Sequence, residues 1–314
     1  MRGFRHSLLL VICSATFTLA QTRGGSANGS TSNGNSAPSA ASTVVAPANG
    51  TEFTPEQVRK LIQTVTDNDQ ANDKKSRDYT YIEREEDRHL DGDGKVKKTE
   101  STTSEVLIIY GSEVDKEIAK DDKPLSEKEA KKEDEKIQKI IDKRKNESEH
   151  DRQKRLEKEE KDREEGRKWV GEISDAFNFR MVGSEAVDGR DAYVIDGEPR
   201  PGFKPHLKYA NYLPKFRFRV WIDKADLEVA KLDAEAIDNL SWGLFVARLH
   251  KGAHFLFEAT RVNDEVWLPK HFAVRMSARV LLLKNFNMEV DTTYRDYKKF
   301  RTESRILGMT APVQ

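Results

Sequence analysis

In the stretch KFRFRVWID (Lys215–Asp223), Phe216, Phe218, Val220 and Ile222 alternate with Arg217, Arg219, Trp221 and Asp223. Successive side chains of a strand point to opposite faces, so this period of two predicts a strand with one apolar face and one mostly charged face. The same alternation continues outward along the chain. Upstream, FRMVGSEAV and RDAYVIDGEP are joined at Asp188-Gly189; downstream come LEVAKLDAEAI, AHFLFEATRV, EVWLPKHFAVRMSARV and NFNMEVDTTYRDYKKF. Asp-Gly and Asn263-Asp264 suit the positive φ angles of tight hairpin turns, so these runs are expected to follow one another as antiparallel neighbours.

A second strand pair is expected nearer the N-terminus. YTYIEREEDRHL and VKKTESTTSEVLIIYG flank LDGDGK, whose aspartates suggest a calcium loop. The spacing rejects that reading. An EF-hand loop needs oxygen ligands at positions 1, 3 and 5, glycine at 6 and glutamate at 12. Counting from Asp91 puts Val96 at 6 and Thr102 at 12; counting from Asp87 puts Lys98 at 12. The stretch is therefore read as a hairpin turn.

The ends carry different signals. Arg2 and Arg5 precede an apolar run, Leu8–Ala20, that ends in small residues, the three-part pattern of a secretory signal peptide over residues 1–20. The run is shorter than the ~20 residues that span a bilayer. Cys13, the only cysteine, lies inside it, so the exported chain is expected to hold no disulfide, thiol nucleophile or Cys-ligated zinc. Residues 21–52, rich in Gly, Ser, Asn and Ala, are expected to form a disordered linker. With 54 basic and 54 acidic residues the formal net charge is zero, which removes the electrostatic basis for nucleic-acid binding.

Helices are predicted at three places. In TPEQVRKLIQTV, Thr54 and Gln57 form a capping box, and Val58, Leu61, Ile62 and Val65 make one apolar stripe. From Glu127 to Lys168, 31 of 42 residues are charged, nearly balanced in sign, and Ser126 with Glu129 makes a second capping box. That segment reads as a solvated helical excursion projecting from the domain, with a partner-binding coiled coil as the alternative. After it, KWVGEISDAFNF places Trp169, Val170, Ile173, Ala176 and Phe177 on one helical face expected to dock on the core. In NLSWGLFVARLHKGAH the spacing of Trp242, Phe245 and Leu249 favours a short helix over a strand, with Ser241 as cap and Gly252 past its end.

These readings combine into an α+β, mainly β fold: a curved antiparallel sheet, an incomplete barrel, covered by helices and carrying a long charged helical excursion. Residues 53–125 supply the first helix and strands, 126–168 the excursion, 169–306 the docking helix and remaining meander, and 307–314 a tail. Chemistry is conspicuously thin. There is no G-x-S-x-G elbow and no glycine-rich phosphate loop, and His250 and His254 lack an HExxH frame, so no catalytic residue, metal site or cofactor is expected. Carboxylate pairs such as Asp223 with Asp226 carry no signal of their own in the sequence.

An apolar concavity imperfectly covered by helices would suit a lipid, since burying a 12-carbon chain contributes on the order of 10 kcal/mol before the costs of association. The segments VDGRDAYVIDGEPRPG, FRVWIDKADLEVAKLD and VNDEVWLPKHFAVRMSA resemble the outer-membrane lipoprotein-sorting superfamily, which contains LolA, LolB and RseB. Trp221–Lys224 and Val266–Lys270 carry most of the likeness, which runs from Phe53 to Ile306 without the charged excursion. The resemblance implies a half-barrel with an acyl-binding concavity. Phe216, Phe218, Val220, Ile222, Phe255, Phe257, Phe272, Val274, Met276 and Met288 would line it, and Trp169, Phe177, Trp242 and Phe245 would act as lid. The chain departs from the carriers in its charged excursion, and from the anchored receptor in having no lipobox. The functional expectation is a non-catalytic periplasmic or secreted protein binding an acyl chain or an acylated protein. The alternative is an envelope sensor or interaction module with a filled core, meeting a protein partner through residues 127–168.

Overall fold

The computed structural model describes residues 53–207, 209–242, 247–280 and 284–300. The expected signal peptide, the linker, Phe245 and the C-terminal tail lie outside them. The chain runs α1 (Pro55–Ser76), β1 (Tyr79–Leu90), β2 (Val96–Ile109), β3 (Ser112–Lys120) and β4 (Lys123–Pro124), then α2 (Glu127–Lys145), α3 (Glu149–Gly171) and the single turn α4 (Ile173–Ala176). It continues with β5 (Phe177–Val187), β6 (Arg190–Pro199), a 3-10 turn (Ala210–Lys215), β7 (Phe216–Asp223) and β8 (Val229–Ala236). The last strands are β9 (Leu240–Trp242), β10 (Ala247–Leu249), β11 (His254–Val262), β12 (Val266–Val280) and β13 (Lys284–Lys299).

Among the described residues, the thirteen strands belong to one open antiparallel sheet, ordered β4-β3-β2-β1-β13-β12-β11-β8-β7-β6-β5, with β9 and β10 attached beside β12. The last strand sits in the middle. β13 pairs with β1 from Tyr79↔Lys299 to Leu90↔Asn287, which welds the N-terminal strands to the C-terminal meander. Turn chemistry follows the sequence. Asp188 and Gly189 have φ of 50° and 78°, and Asn263 and Asp264 have 51° and 55°, the left-handed pairs that a tight hairpin demands. At LDGDGK the Asp91 carboxylate accepts the backbone N–H groups of Asp93 and Lys95 at 3.0 and 2.9 Å. Both bonds go to Oδ1, which shapes the turn.

α1 begins with the expected capping box: the Gln57 N–H donates to Thr54 Oγ1 at 3.3 Å, and the Thr54 N–H to Gln57 Oε1 at 2.8 Å. Its stripe of Val58, Leu61, Ile62 and Val65 is buried on the sheet's inner face in one continuous core with Phe177, Ile195, Phe216, Val220, Ile222 and Phe255. In that core the ring of Phe218 lies directly on Gly197. A Cβ there would sit 2.6 Å from Cε1 and 2.7 Å from Cε2. Gly197→Ala is therefore expected to lower stability by about 1–3 kcal/mol through overpacking, read as a shift of the urea midpoint at unchanged m-value.

Three expectations are corrected. Where a helix is expected, Leu240–Trp242 and Ala247–Leu249 are the strands β9 and β10, pairing Leu240↔Leu249 with each other and Leu249↔Ala278 on β12. The far end of β12 has N–H and C=O groups that need partners, and supplying them outweighs a local 3.6-residue spacing. Gly252 (φ 88°) turns the chain into β11, its N–H donating to Ala236 O at 2.7 Å. The docking segment also splits: α3 ends at Gly171, and Phe177 opens β5 instead of extending a helical face.

The third correction concerns the charged excursion. It is helical, but it lies against the sheet instead of projecting. Ile137 packs with Ile109 and Val114, on the face opposite Val106 by strand alternation, and α2 side chains reach the backbone of β2 and β3. Glu133 Oε1 accepts from the Glu117 N–H at 3.0 Å, Lys136 Nζ donates to Asp115 O at 3.4 Å, and Arg144 Nη1 donates to Ile109 O and Ser112 O at 2.6 and 3.2 Å. An uncovered edge strand is a template for unwanted pairing, and here charged side chains engage its backbone groups. From the returning helix α3, Glu160 pairs with Arg77, the C-cap of α1, at 2.9 Å, and Arg167 with Asp73 of α1 at 3.5 Å.

Candidate functional site

The residues expected to line an apolar cavity come together, and they pack on one another. Phe216, Val220, Ile222, Phe255, Phe257, Phe272 and Val274 are buried in the main core, with Phe218 and Met276 partly buried against it. Phe255 meets Phe216 edge-on at 5.8 Å between centroids. Met288, opposite Met276 across β12 and β13, is half-buried. Of the lid residues, Phe177 is buried beneath Phe218 at 4.8 Å. Trp169 lies partly buried on the core, its indole N–H pointing to Tyr209 O at 3.4 Å. Trp242 belongs to β9, and its side chain is among those not described.

A polar cavity of about 410 Å³ opens where α1 meets the β7–β8 turn and the β11–β12 hairpin. Asn68, Asn72, Lys75, Asp226, Glu228 and Trp267 are among its walls. Its frame is rigid because amide side chains lock it to backbone. Asn72 pairs both ways with Trp267, accepting from its N–H at 2.8 Å and donating to its C=O at 2.6 Å, while Asn68 Nδ2 donates to the carbonyls of Asp226 and Leu227 at 3.2 Å each.

Behind the wall lies an ion network built on Asp223, which is 1% exposed. Arg190 spans Asp223, at 2.6 and 2.9 Å, and Asp226, at 2.9 Å. Asp226 also takes the Trp267 indole N–H at 3.0 Å and Arg261 Nε at 2.9 Å. Burial alone would raise the Asp223 carboxyl, but hydrogen bonds from Arg190 and from the Asp226 and Ala225 N–H groups hold it below the usual range. The Asp223–Asp226 pair, arbitrary in the sequence, is thus a structural unit.

Glu228 differs from the other carboxylates in the wall. Asp226 is paired as described, Asp264 binds Arg261 at 2.9 Å, and Glu265 binds Lys299 at 2.7 Å. Burial, then repulsion from Asp69 and Asp226, pushes Glu228 up to about 8, with Lys75 opposing. Asp69 on α1 is pushed up to about 7 by burial and by Asp73, against the pull of Arg167. Glu228 and Asp69 thus both hold their protons more tightly than free carboxyls do. The sign follows directly. Both keep a proton in the fold that the unfolded chain releases near pH 4, so stability falls as pH rises from about 4 to about 8. The double variant Asp69→Asn, Glu228→Gln is expected to flatten that slope and to exceed the parent by about 1–3 kcal/mol at pH 9, measured by urea unfolding at pH 5 and 9.

The sequence carried no sign of this cavity. Its walls come from residues 68–75, 226–228 and 261–267, and although Asp264 marks a turn and Trp267 lies in the stretch that carries the resemblance, no spacing in the sequence joins these three segments. No helix among the described residues is long and apolar enough to cross a membrane.

No protein-family model matches the chain, and no curated protein matches it. Solved structures do. The chain is similar to a putative outer-membrane lipoprotein-sorting protein domain from Vibrio parahaemolyticus at 12% identity and TM-score 0.31, over 77% of this chain and 94% of that one. It is similar to a LolA superfamily protein from Nitrosomonas europaea at 9% identity and TM-score 0.28, over 76% and 93%. It is also similar to the MucA/MucB complex structure of Pseudomonas aeruginosa at 9% identity and TM-score 0.21, over 77% and 99%.

Proposed function

We propose that this chain is an exported, non-catalytic binding protein of the cell envelope that holds a segment of another protein, seating a lysine or arginine side chain against Glu228. The leader-like N-terminus, Arg2 and Arg5 before Leu8–Ala20, supports export with cleavage near Ala20. The observation that carries the reading is an open polar cavity lying beside an apolar core whose side chains pack on one another. A cation seated beside Glu228 offsets the repulsion from Asp69 and Asp226 and favours the ionised carboxylate, so binding is accompanied by release of the Glu228 proton. The framing hydrogen bonds from Asn68 and Asn72 keep that carboxylate's surroundings fixed, so little ordering cost accompanies binding.

A second reading has its own support: Met276, Met288 and Val290 form a half-buried apolar strip along β12 and β13, where an acyl chain would lie. The two readings separate by experiment. Calorimetric titration with an extended lysine-containing peptide is expected to show binding that acetylating the lysine abolishes and Glu228→Gln weakens at least about tenfold. Equal binding of the acetylated peptide would remove the first reading. Acyl species recovered stoichiometrically in organic extracts of gently purified protein would establish the second.

A further inference from the structure

The two ends of the sheet are finished differently. At the β3 end, Glu133, Lys136 and Arg144 of α2 bond the edge backbone. At the β5 end, among the described residues, nothing but β6 hydrogen-bonds the backbone of Asn178–Val187. Arg180, Val182, Ser184, Glu185 and Ala186 are exposed there, and Val182, at 41%, is one of three exposed large hydrophobic residues among those described.

This bare edge is self-complementary because of a bulge. Arg180 and Glu185 are five residues apart, which in a regular strand would put them on opposite faces. The register shifts between Met181 and Gly183, so Arg180 pairs with Asp196 and Glu185 with Ala192 on β6. Those partners are four apart, so Arg180 and Glu185 share one face. The same holds further along. Met181 and Ser184 face Ile195 and Tyr193, and Phe179 and Ala186 face Gly197 and Asp191, so each couple shares a face. A two-fold axis perpendicular to the sheet, between Val182 and Gly183, then sets Arg180 opposite Glu185 of a second copy, twice, with each of these three couples on a common face.

We infer that β5 is a self-pairing edge through which two copies of this chain join antiparallel into one continuous sheet. Charge complementarity selects a second copy over an unrelated strand, since the two-fold creates two Arg180–Glu185 pairs at once. The side chains are available for it. The Arg180 side chain is 72% exposed, and its present partner Asp196 also holds Arg219 at 2.6 Å, so Asp196 stays paired when Arg180 turns outward. Glu185 gives Oε2 to the Trp221 indole at 2.8 Å and has Oε1 left to accept.

Sedimentation velocity on the exported protein, from about 1 to about 500 µM, is expected to show a monomer–dimer equilibrium. Arg180→Glu and Glu185→Arg should each raise the dissociation constant about tenfold, and the exchange of both should restore it to within about threefold of the parent. In the unaltered chain, the amides of Asn178–Val187 should gain hydrogen-exchange protection as concentration rises. A monomer at every concentration overturns the inference, as does a dimer that ignores both charge changes. If either variant fails to fold by circular dichroism, edge amides of the parent that stay unprotected at the highest concentration overturn it on their own.

Discussion

Arg190→Ala is expected to lower the unfolding free energy by about 3 kcal/mol, because it leaves the Asp223 carboxylate buried without a counter-charge. Arg190 itself is a third exposed, whereas Asp223 is enclosed. The cost therefore comes from the stranded acid more than from the lost arginine. Asp223 keeps the Ala225 and Asp226 N–H groups at 3.0 and 2.8 Å, which holds the loss below that of a wholly bare buried charge. The pH dependence gives a second check. The folded Asp223 carboxyl sits below its ordinary value, so the stability it contributes is present above the unfolded pKa near 4 and is lost as pH falls through the folded one. Parent and variant should thus draw together as pH falls below ~4 and meet once it has passed the folded Asp223 pKa. Arg190→Lys should fall between them, because an ammonium cannot reproduce the fork that spans Asp223 and Asp226. In a double-mutant cycle, adding Asp223→Asn to Arg190→Ala should cost less than the sum of the single changes. Strict additivity would show that the pair is not coupled.

Sequence reading succeeded where a strand carried its own period and turn. Phe216, Val220 and Ile222 face the core as their alternation requires, and Trp221 lies on the other face with Ala192 and Val194. Asp188-Gly189 and Asn263-Asp264 make their turns because left-handed backbone is a local preference. What failed depended on distant partners. The helix expected near Trp242 lost to the β12 backbone, some thirty residues on, a demand that no local window contains. The excursion's docking was hidden because Ile137 is the only apolar residue of α2 that becomes fully buried, with Ile140 and Ile141 partly buried beside it and charged side chains bonding to strand backbone. The candidate cavity was invisible for the same reason. Asn72 and Trp267, 195 positions apart, read as an ordinary polar residue on α1 and one aromatic of a strand.

The charged hairpin yields the last large effect. Replacing Glu133, Lys136 and Arg144 together by alanine is expected to remove about 4 kcal/mol of stability and to make the protein aggregate on concentration. Hydrogen bonds involving a charged group are worth ~1.5–3 kcal/mol each where they satisfy a half-buried partner and less where solvent competes. Arg144 contributes most, bridging the carbonyls of Ile109 and Ser112. Lys136 contributes least, its contact to Asp115 O being 3.4 Å long and its side chain about half exposed. Ile137 remains against Ile109 and Val114 in the triple variant, so the hairpin is loosened rather than released. The physical consequence is a β3 strand with unpaired N–H and C=O groups beyond the short cover of β4, which pairs only with Ala119 and Lys120. Urea unfolding measures the stability, and thioflavin binding with light scattering reports the edge. Lys131→Ala, Lys132→Ala and Glu135→Ala together, on the exposed side of the same helix, serve as the control for charge lost without edge contact. If the control aggregates as readily as the triple variant, the hairpin protects the protein through solubility alone and not by covering β3.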